Sequence, residues 1–152
     1  MTDHDDDLKE ACGVVGVYSP NQSVARVVFF ALYALQHRGQ ESSGIAASDG
    51  NVITNTTAMG LVGQAFQEED LTDLSGHVAI GHTRYSTTGS NNINNAQPIL
   101  SKSADVEIAL AHNGNVINAV ELKKELVDWG CEFSSTSDSE IVAHLITHAP
   151  SS

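Results

Sequence analysis

The middle of the chain is built from short apolar runs separated by polar turns. Four such runs are SGIAAS (43–48), NVITNTTA (51–58), HVAIGHTRYS (77–86) and VEIALAHNG (106–114). Runs of this length, bounded by Gly, Asn, Asp and Ser, are typical of β-strands. The Asp49-Gly50-Asn51 sequence between the first two runs predicts a β-hairpin. Strands are therefore predicted to dominate the middle of a mixed α and β domain.

Helical patterns lie on both sides of these runs. Val24–Leu35 is long, apolar and rich in alanine, which predicts a helix that is buried on most sides and stops at Gly39. Ser137-Asp138-Ser139-Glu140 fits a capping box that opens a helix near the end of the chain. Between them, from Asn118 to Gly130, another helix is predicted to bury an apolar arc formed by Val120, Leu122, Leu126, Val127 and Trp129.

Length and composition exclude several classes of protein. A chain of 152 residues suggests one domain, and its net charge of −12 argues against a nucleic-acid partner. Val27–Leu35, the longest apolar run, is too short to cross a bilayer, and the acidic N-terminus is unlike a secretory signal. Two cysteines make no disulfide framework, and the seven histidines form no HxH or HExxH motif, so no metal site is expected. We expect a soluble cytoplasmic domain.

Cys12 lies where the character of the chain changes. Residues 1–11 are acidic and offer almost nothing to bury, whereas a β-branched run with glycines begins at Cys12. One interpretation is a small buried hydrophobe, the commonest fate of a free cysteine. The other is a nucleophile: cleavage before Cys12 would free an α-amino group that can act as general base for its own thiol. Cys131 has none of these features and is expected in the core.

Three further positions each allow a structural and a chemical interpretation. Arg84, at a predicted strand end, is either a surface arginine or a clamp for a carboxylate. Asn113-Gly114 is either an ordinary turn or an oxyanion hole made by a side-chain amide and a backbone N–H. Asp138 either stabilises the start of a helix or pairs with a substrate ammonium group, and it could do both.

Taken together, these segments resemble one family. CGVVGVY after an acidic leader, ALQHRGQESSGIA, GHTRYSTTG, NAQPI, AHNGNVIN and STSDSE are similar to the class II glutamine amidotransferases, and within them to the phosphoribosylpyrophosphate amidotransferases. The resemblance runs from residue 12 to about residue 148. The sister glucosamine-6-phosphate synthases typically carry YRGYDSAG and HTRWATHG where this chain has QHRGQESSG and HTRYSTTG.

The resemblance implies an α+β fold of the N-terminal-nucleophile hydrolase type, a four-layer α/β/β/α sandwich of antiparallel sheets. It implies that residues 1–11 are a propeptide and that 12–152 form a glutaminase domain. Cys12 would be the nucleophile, and Asn113 with Gly114 the oxyanion hole. Arg84, Thr87 and Asp138 would bind the substrate, L-glutamine. The ammonia released would serve synthesis of 5-phosphoribosylamine from phosphoribosyl pyrophosphate in purine biosynthesis.

The chain also departs from the family pattern. The family's glutaminase domain continues beyond residue 152, and its phosphoribosyltransferase domain, which uses Mg²⁺, has no counterpart here. The distal cysteines that bind an iron–sulfur cluster in some members are absent too, so no cofactor is expected. We therefore expect a truncated domain that associates with itself or with a missing phosphoribosyltransferase domain. Two alternatives remain: an inactive relic or glutamine-binding module, and a glutaminase domain like that of glucosamine-6-phosphate synthase.

Overall fold

The computed structural model describes residues 12–85, 92–104 and 106–149. The acidic leader and Thr87 therefore lie outside the described residues. The strands are β1 (Gly13–Tyr18), β2 (Ser42–Ser48), β3 (Ile53–Met59), β4 (Val78–Arg84), β5 (Ile99–Lys102) and β6 (Glu107–Leu110). The helices are α1 (Ala25–Leu35), α2 (Val62–Ala65), α3 (Glu68–Asp73), α4 (Ala119–Asp128) and α5 (Asp138–Thr147), with short 3-10 helices at Gln36–Arg38 and Ile93–Asn95.

Two antiparallel sheets are formed by these strands. Four strands pair in the order β1-β4-β2-β3, and β5 pairs with β6. The predicted hairpin joins β2 to β3, where Gly50 has a φ of 96° and the Asp49 carboxylate accepts the N–H groups of Asn51 and Val52. These contacts show why Asp-Gly-Asn turns the chain at this point.

Opposite faces of the larger sheet meet different layers. A Cβ added to Gly81 of β4 would lie 2.5 Å from Val28 and 2.7 Å from Leu32, so this face packs closely against α1. Gly44 of β2 and its neighbour His82 of β4 lie on the other face, where a Cβ on Gly44 would lie 2.2 Å from the Gln97 carbonyl oxygen just before β5. Helix α5 packs on β5 and β6. The order is helix, sheet, sheet, helix, as the family resemblance implied.

The main core lies between α1 and the larger sheet. It contains Val28 and Leu32 of α1 with Ile45 and Ala47 of β2, and α2 and α3 close it with Val62 and Leu71. A smaller cluster joins Leu126 of α4 to Cys131 and to Ile141 of α5. Burial of Cys131 confirms its expected place in the core.

Two expectations about the helices were wrong. Helix α1 buries one face only, because Val27, Phe30 and Tyr33 are half exposed or more. In α4, Leu126 is fully buried but Val120 and Trp129 are largely exposed. Helix α4 does end at Gly130, whose φ of 94° is a conformation that favours glycine. Within the described residues, the packing partners of α1 and α4 thus cover only part of the apolar surface of each helix.

Candidate active site

The register of β1 and β4 fixes the position of Cys12. Gly13 of β1 lies opposite Thr83 of β4, so Cys12 and Arg84, one residue further out on each strand, reach the same edge of the sheet. The Gly13 N–H donates to Thr83 Oγ1 at 3.2 Å, and a Cβ on Gly13 would approach that oxygen to 2.8 Å. Glycine after the cysteine therefore allows β1 to close against β4. The Cys12 thiol donates to the Tyr85 carbonyl oxygen at 3.8 Å.

A cavity of about 350 Å³ opens at this edge. Five of the six residues predicted for the site line it: Cys12, Arg84, Asn113, Gly114 and Asp138. They come from the start of β1, the end of β4, the segment after β6 and the first turn of α5. Thr87, the sixth, lies outside the described residues. Residues that are distant in the chain thus meet in one concave space of a size suited to a small molecule.

Asn113 faces the residue that carries the thiol. Its side-chain amide donates to the Cys12 carbonyl oxygen at 3.1 Å. An amide group has two N–H donors, so this hydrogen bond leaves a second donor. A Cβ on Gly114 would lie 2.5 Å from Nε2 of His112, so any larger residue would require the imidazole to shift. Asn113 and Gly114 are exposed, and Asn113 is tied to the Cys12 backbone by this hydrogen bond.

Arg84 is held by an acidic partner. Its Nη1 donates to Oε1 of Glu41 at 3.2 Å, and the Glu41 side chain is only 8% exposed. The backbone of β4 at this point touches the turn after α1, since a Cβ on Gly39 would lie 2.7 Å from the Arg84 carbonyl carbon. The guanidinium is thus fixed at the cavity wall and remains 20% exposed.

A buried glutamine side chain positions the segment after β6. Oε1 of Gln97 accepts the His112 N–H at 2.7 Å, and its Nε2 donates to Oγ of Ser139 at 3.1 Å. Nδ1 of His112 lies 3.2 Å from the same hydroxyl oxygen. These hydrogen bonds tie the strand that leads to Asn113 to the first turn of α5.

Asp138 connects the same two segments. Its Oδ2 accepts the Val116 N–H at 2.8 Å. Ser137 caps α5 by accepting the Ser139 N–H at 3.3 Å, while Glu140 accepts hydrogen bonds from Ser134 and Ser135. Although burial raises the pKa of Glu140, these hydrogen bonds lower it overall. The predicted helix start is confirmed, but Glu140 bonds the preceding loop, in contrast to a capping box.

Three residues of the site were not singled out from the sequence: Glu41, Gln97 and Ser139. Each lies inside a segment that carried the family resemblance, QHRGQESSG, NAQPI and STSDSE. Their position in these family-like segments was the sequence signal that could have identified them. It did not indicate that Glu41 supports Arg84 or that Gln97 and Ser139 support Asn113.

Comparisons with known proteins find relatives in sequence and in structure. The sequence profile of a glutamine amidotransferase domain matches residues 68–150. The amidophosphoribosyltransferase of Synechococcus elongatus is 52% identical over 141 residues, which cover 93% of this chain and 29% of that protein. That of Methanothermobacter thermautotrophicus is 49% identical over 143 residues, which cover 93% of this chain and 30% of that protein.

Solved structures show the same similarity. Glutamine phosphoribosylpyrophosphate amidotransferase from B. subtilis, complexed with ADP and GMP, aligns with a TM-score of 0.79 at 40% identity, covering 90% of this chain and 29% of that one. A structure described as the allosteric regulatory enzyme of purine biosynthesis aligns with a TM-score of 0.81 at 40% identity and equal coverage. The chain spans just under a third of the length of these relatives. Since the profile matches more than half of it, the chain belongs to the glutamine amidotransferase domain family.

Proposed function

We propose that this chain hydrolyses the side-chain amide of L-glutamine through a thioester on Cys12. The observation that carries the proposal is the cavity that brings Cys12 together with Arg84, Asn113, Gly114 and Asp138. A thiol nucleophile, two hydrogen-bond donors and two opposite charges are what such a reaction on an amino acid needs. Membership of the glutamine amidotransferase family supports the choice of substrate.

The nucleophile depends on cleavage between Ala11 and Cys12. Cleavage would free the α-amino group of Cys12, whose ordinary pKa of about 7.7–8.0 suits a general base near neutral pH. The amine takes the thiol proton, and Sγ attacks the amide carbon of glutamine. The amine then returns the proton to the leaving nitrogen, so ammonia departs and a γ-glutamyl thioester remains. Water hydrolyses the thioester to glutamate and regenerates the thiol.

Asn113 and Gly114 would stabilise the oxyanion of both tetrahedral intermediates. The contact of the Asn113 amide with the Cys12 backbone supports this role, because the amide has a second N–H that could donate to an oxyanion. The Gly114 N–H is the second donor. The network of Gln97, His112 and Ser139 holds this segment in place, so the donors need little reorganisation when charge develops.

Arg84 and Asp138 would recognise the amino-acid end of glutamine. The guanidinium fits the α-carboxylate, and the Asp138 carboxylate fits the α-ammonium group. Thr87 is proposed to line the same pocket, in keeping with the family pattern. Both charged groups are fixed by contacts of their own, with Glu41 and with the Val116 N–H.

The acceptor of the ammonia is proposed from the relatives. Their name, amidophosphoribosyltransferase, indicates transfer to a phosphoribosyl group. We propose that ammonia made here serves 5-phosphoribosylamine synthesis in cytoplasmic purine biosynthesis, with Mg²⁺ and phosphoribosyl pyrophosphate bound by a phosphoribosyltransferase domain. Within the described residues, no helix is both long and apolar enough to span a membrane.

Steady-state glutamine hydrolysis by Asn113→Ala tests the oxyanion hole. Loss of one donor to the oxyanion costs roughly 3–4 kcal/mol of transition-state stabilisation, so kcat should fall by about 10²–10³-fold while KM changes little. Asn51→Ala, in the exposed turn of the β2–β3 hairpin, is the matched control and should keep wild-type kinetics. A kcat within threefold of wild type in Asn113→Ala would refute the assigned role.

A further inference from the structure

A second group of reactive side chains lies away from the glutamine cavity. One donor atom each from Cys131, His144 and His148 lies within 4.8 Å of the others. The two histidines are four residues apart, so α5 presents them on one face. Cys131 joins them from the turn after α4, where its N–H donates to the Leu126 carbonyl oxygen at 2.9 Å. The cluster is thus built by the packing of α4 against α5.

Each imidazole has one nitrogen held by a backbone carbonyl. Nε2 of His144 lies 3.1 Å from the Glu132 carbonyl oxygen, and Nδ1 of His148 lies 2.9 Å from that of His144. A carbonyl can only accept, so both nitrogens carry the proton in these hydrogen bonds. The lone pairs therefore belong to Nδ1 of His144 and Nε2 of His148. A carbonyl that fixes the tautomer in this way is the usual support of a metal-ligating histidine.

Among the described residues, one of these lone pairs has no hydrogen-bond partner and the other faces the thiol of Cys131. Nδ1 of His144 is buried without a hydrogen bond, which is costly for a polar atom. Nε2 of His148 lies 3.6 Å from Sγ of Cys131. Zn–S bonds of about 2.3 Å and Zn–N bonds of about 2.0–2.1 Å in a tetrahedral site place sulfur and nitrogen roughly 3.5 Å apart. The observed separation is therefore the one that a shared zinc ion requires.

We propose that Cys131, His144 and His148 bind one Zn²⁺ ion. Thiolate and imidazole are the donors that zinc selects in proteins, and three protein ligands leave the fourth tetrahedral position to water. Binding displaces the thiol proton of Cys131 to solvent. His148 is exposed, which gives the ion a path from solvent to the buried sulfur.

The position of the site indicates a structural role. Asp138 begins α5 at the glutamine cavity, and the histidines follow it by roughly 9–15 Å along the helix axis. Zinc would fasten the far end of α5 to the turn after α4 and so brace the helix that presents Asp138 and Ser139. The sequence alone predicts no metal site here, because His144 and His148 have the four-residue spacing of the histidines in HExxH but leucine stands where that motif has glutamate.

Cobalt binding to the full chain tests the proposal. Metal-free protein titrated with Co²⁺ should bind one ion per chain and develop a thiolate-to-cobalt charge-transfer band with the visible bands of a tetrahedral ion. Added Zn²⁺ should abolish them. His148→Gln removes an exposed ligand with little risk to folding, and affinity should fall by at least about 100-fold. Cys131→Ser should remove the charge-transfer band.

Two variants serve as controls. His37→Gln removes an exposed imidazole whose Nδ1 also donates to a backbone carbonyl, that of Ala34 at 3.0 Å, and should keep wild-type cobalt affinity. Cys12→Ser removes the other thiol and should keep the band. The proposal is overturned if no charge-transfer band forms, or if the band survives in Cys131→Ser or keeps its affinity in His148→Gln. Cys131 and His148 would then be a hydrogen-bonded pair.

Discussion

The Arg84 guanidinium is held at the cavity wall by an ion pair of its own. Glu41 neutralises it on one side and holds Nη1 at 3.2 Å, while the rest of the planar group remains at the cavity wall. A guanidinium fixed in this way can meet a carboxylate with two parallel N–H donors, which a lysine ammonium cannot reproduce. In the proposed function, recognition of the α-carboxylate would therefore depend on the shape of the group as well as its charge.

Replacement of Arg84 by lysine tests whether the planar shape of the guanidinium is needed to bind the carboxylate. Arg84→Lys keeps the charge but loses the fork, and a hydrogen bond to a charged group contributes about 1.5–3 kcal/mol. KM for glutamine should therefore rise by about 10–100-fold in a steady-state glutaminase assay. Arg26→Lys, at an exposed pair with Glu68, should leave KM unchanged. An unchanged KM in Arg84→Lys would mean that another group binds the carboxylate.

Glycines of the site have a steric function. Gly44 meets the Gln97 carbonyl oxygen, and Gly39 meets the backbone of Thr83 and Arg84, both at distances that leave no space for a side chain. The sequence predicts Gly39 as a helix stop. It is also the point where the turn after α1 touches the strand that carries Arg84.

Strand β4 links the core to the site. Arg84 is the last residue of β4, and His82, two residues before it, is fully buried between the sheets. The pKa of His82 is lowered from 6.5 to about 4, mainly by burial; a hydrogen bond with the His112 backbone opposes this, and the charges of Arg84 and His112 add to it. The imidazole is therefore neutral in the folded protein across the physiological range.

The low pKa of His82 makes the stability of the folded protein depend on pH. Below pH 6.5 His82 becomes protonated in the unfolded chain, whereas in the folded chain it stays neutral until about pH 4. The free energy of unfolding should therefore decrease as the pH falls through this window, by on the order of 3 kcal/mol in total. Urea denaturation at several pH values measures it, and His82→Gln should show a shallower slope than wild type. Equal slopes would place the titration elsewhere.

The helices mark the limit of what the sequence can predict. Their existence and ends follow from local features: the capping serine of α5 and Gly130 after α4 are readable from residue type. Which apolar residues are buried depends on what packs against each helix. Phe30 and Trp129 have the composition of core residues, yet both are more than 60% exposed within the described part of the chain. Periodicity identified an apolar face but could not identify its neighbour.

Some residues of the candidate active site could be predicted from the sequence, and others could not. Cys12, Arg84, Asn113, Gly114 and Asp138 could be named because each has a chemical capacity, and the family resemblance then favoured the chemical interpretation over the structural one. Gln97 and Ser139 could not, because their function lies in a hydrogen bond between positions 42 residues apart. Only the packing of α5 against β5 and β6 brings those side chains together.

At the scale of the whole molecule, two sheets and two helix layers meet at one edge. Cys12 and Arg84 come from the larger sheet, whereas Asn113 and Asp138 come from the smaller sheet and its helix. The contact between Gly44 and Gln97 holds the sheets together close to that edge. The candidate active site therefore exists only when the two sheets are stacked, and any change that separates the sheets should move its residues apart.

Intact-mass analysis with 6-diazo-5-oxonorleucine, a reactive glutamine analogue, tests the account most directly. A matured Cys12 thiolate in a working glutamine pocket displaces nitrogen from the analogue and forms one thioether. We predict a mass that lacks residues 1–11, followed by a single adduct that maps to Cys12 and is absent in Cys12→Ser. A full-length mass without an adduct, or an adduct on Cys131, would contradict the proposal that this chain is a cysteine glutaminase.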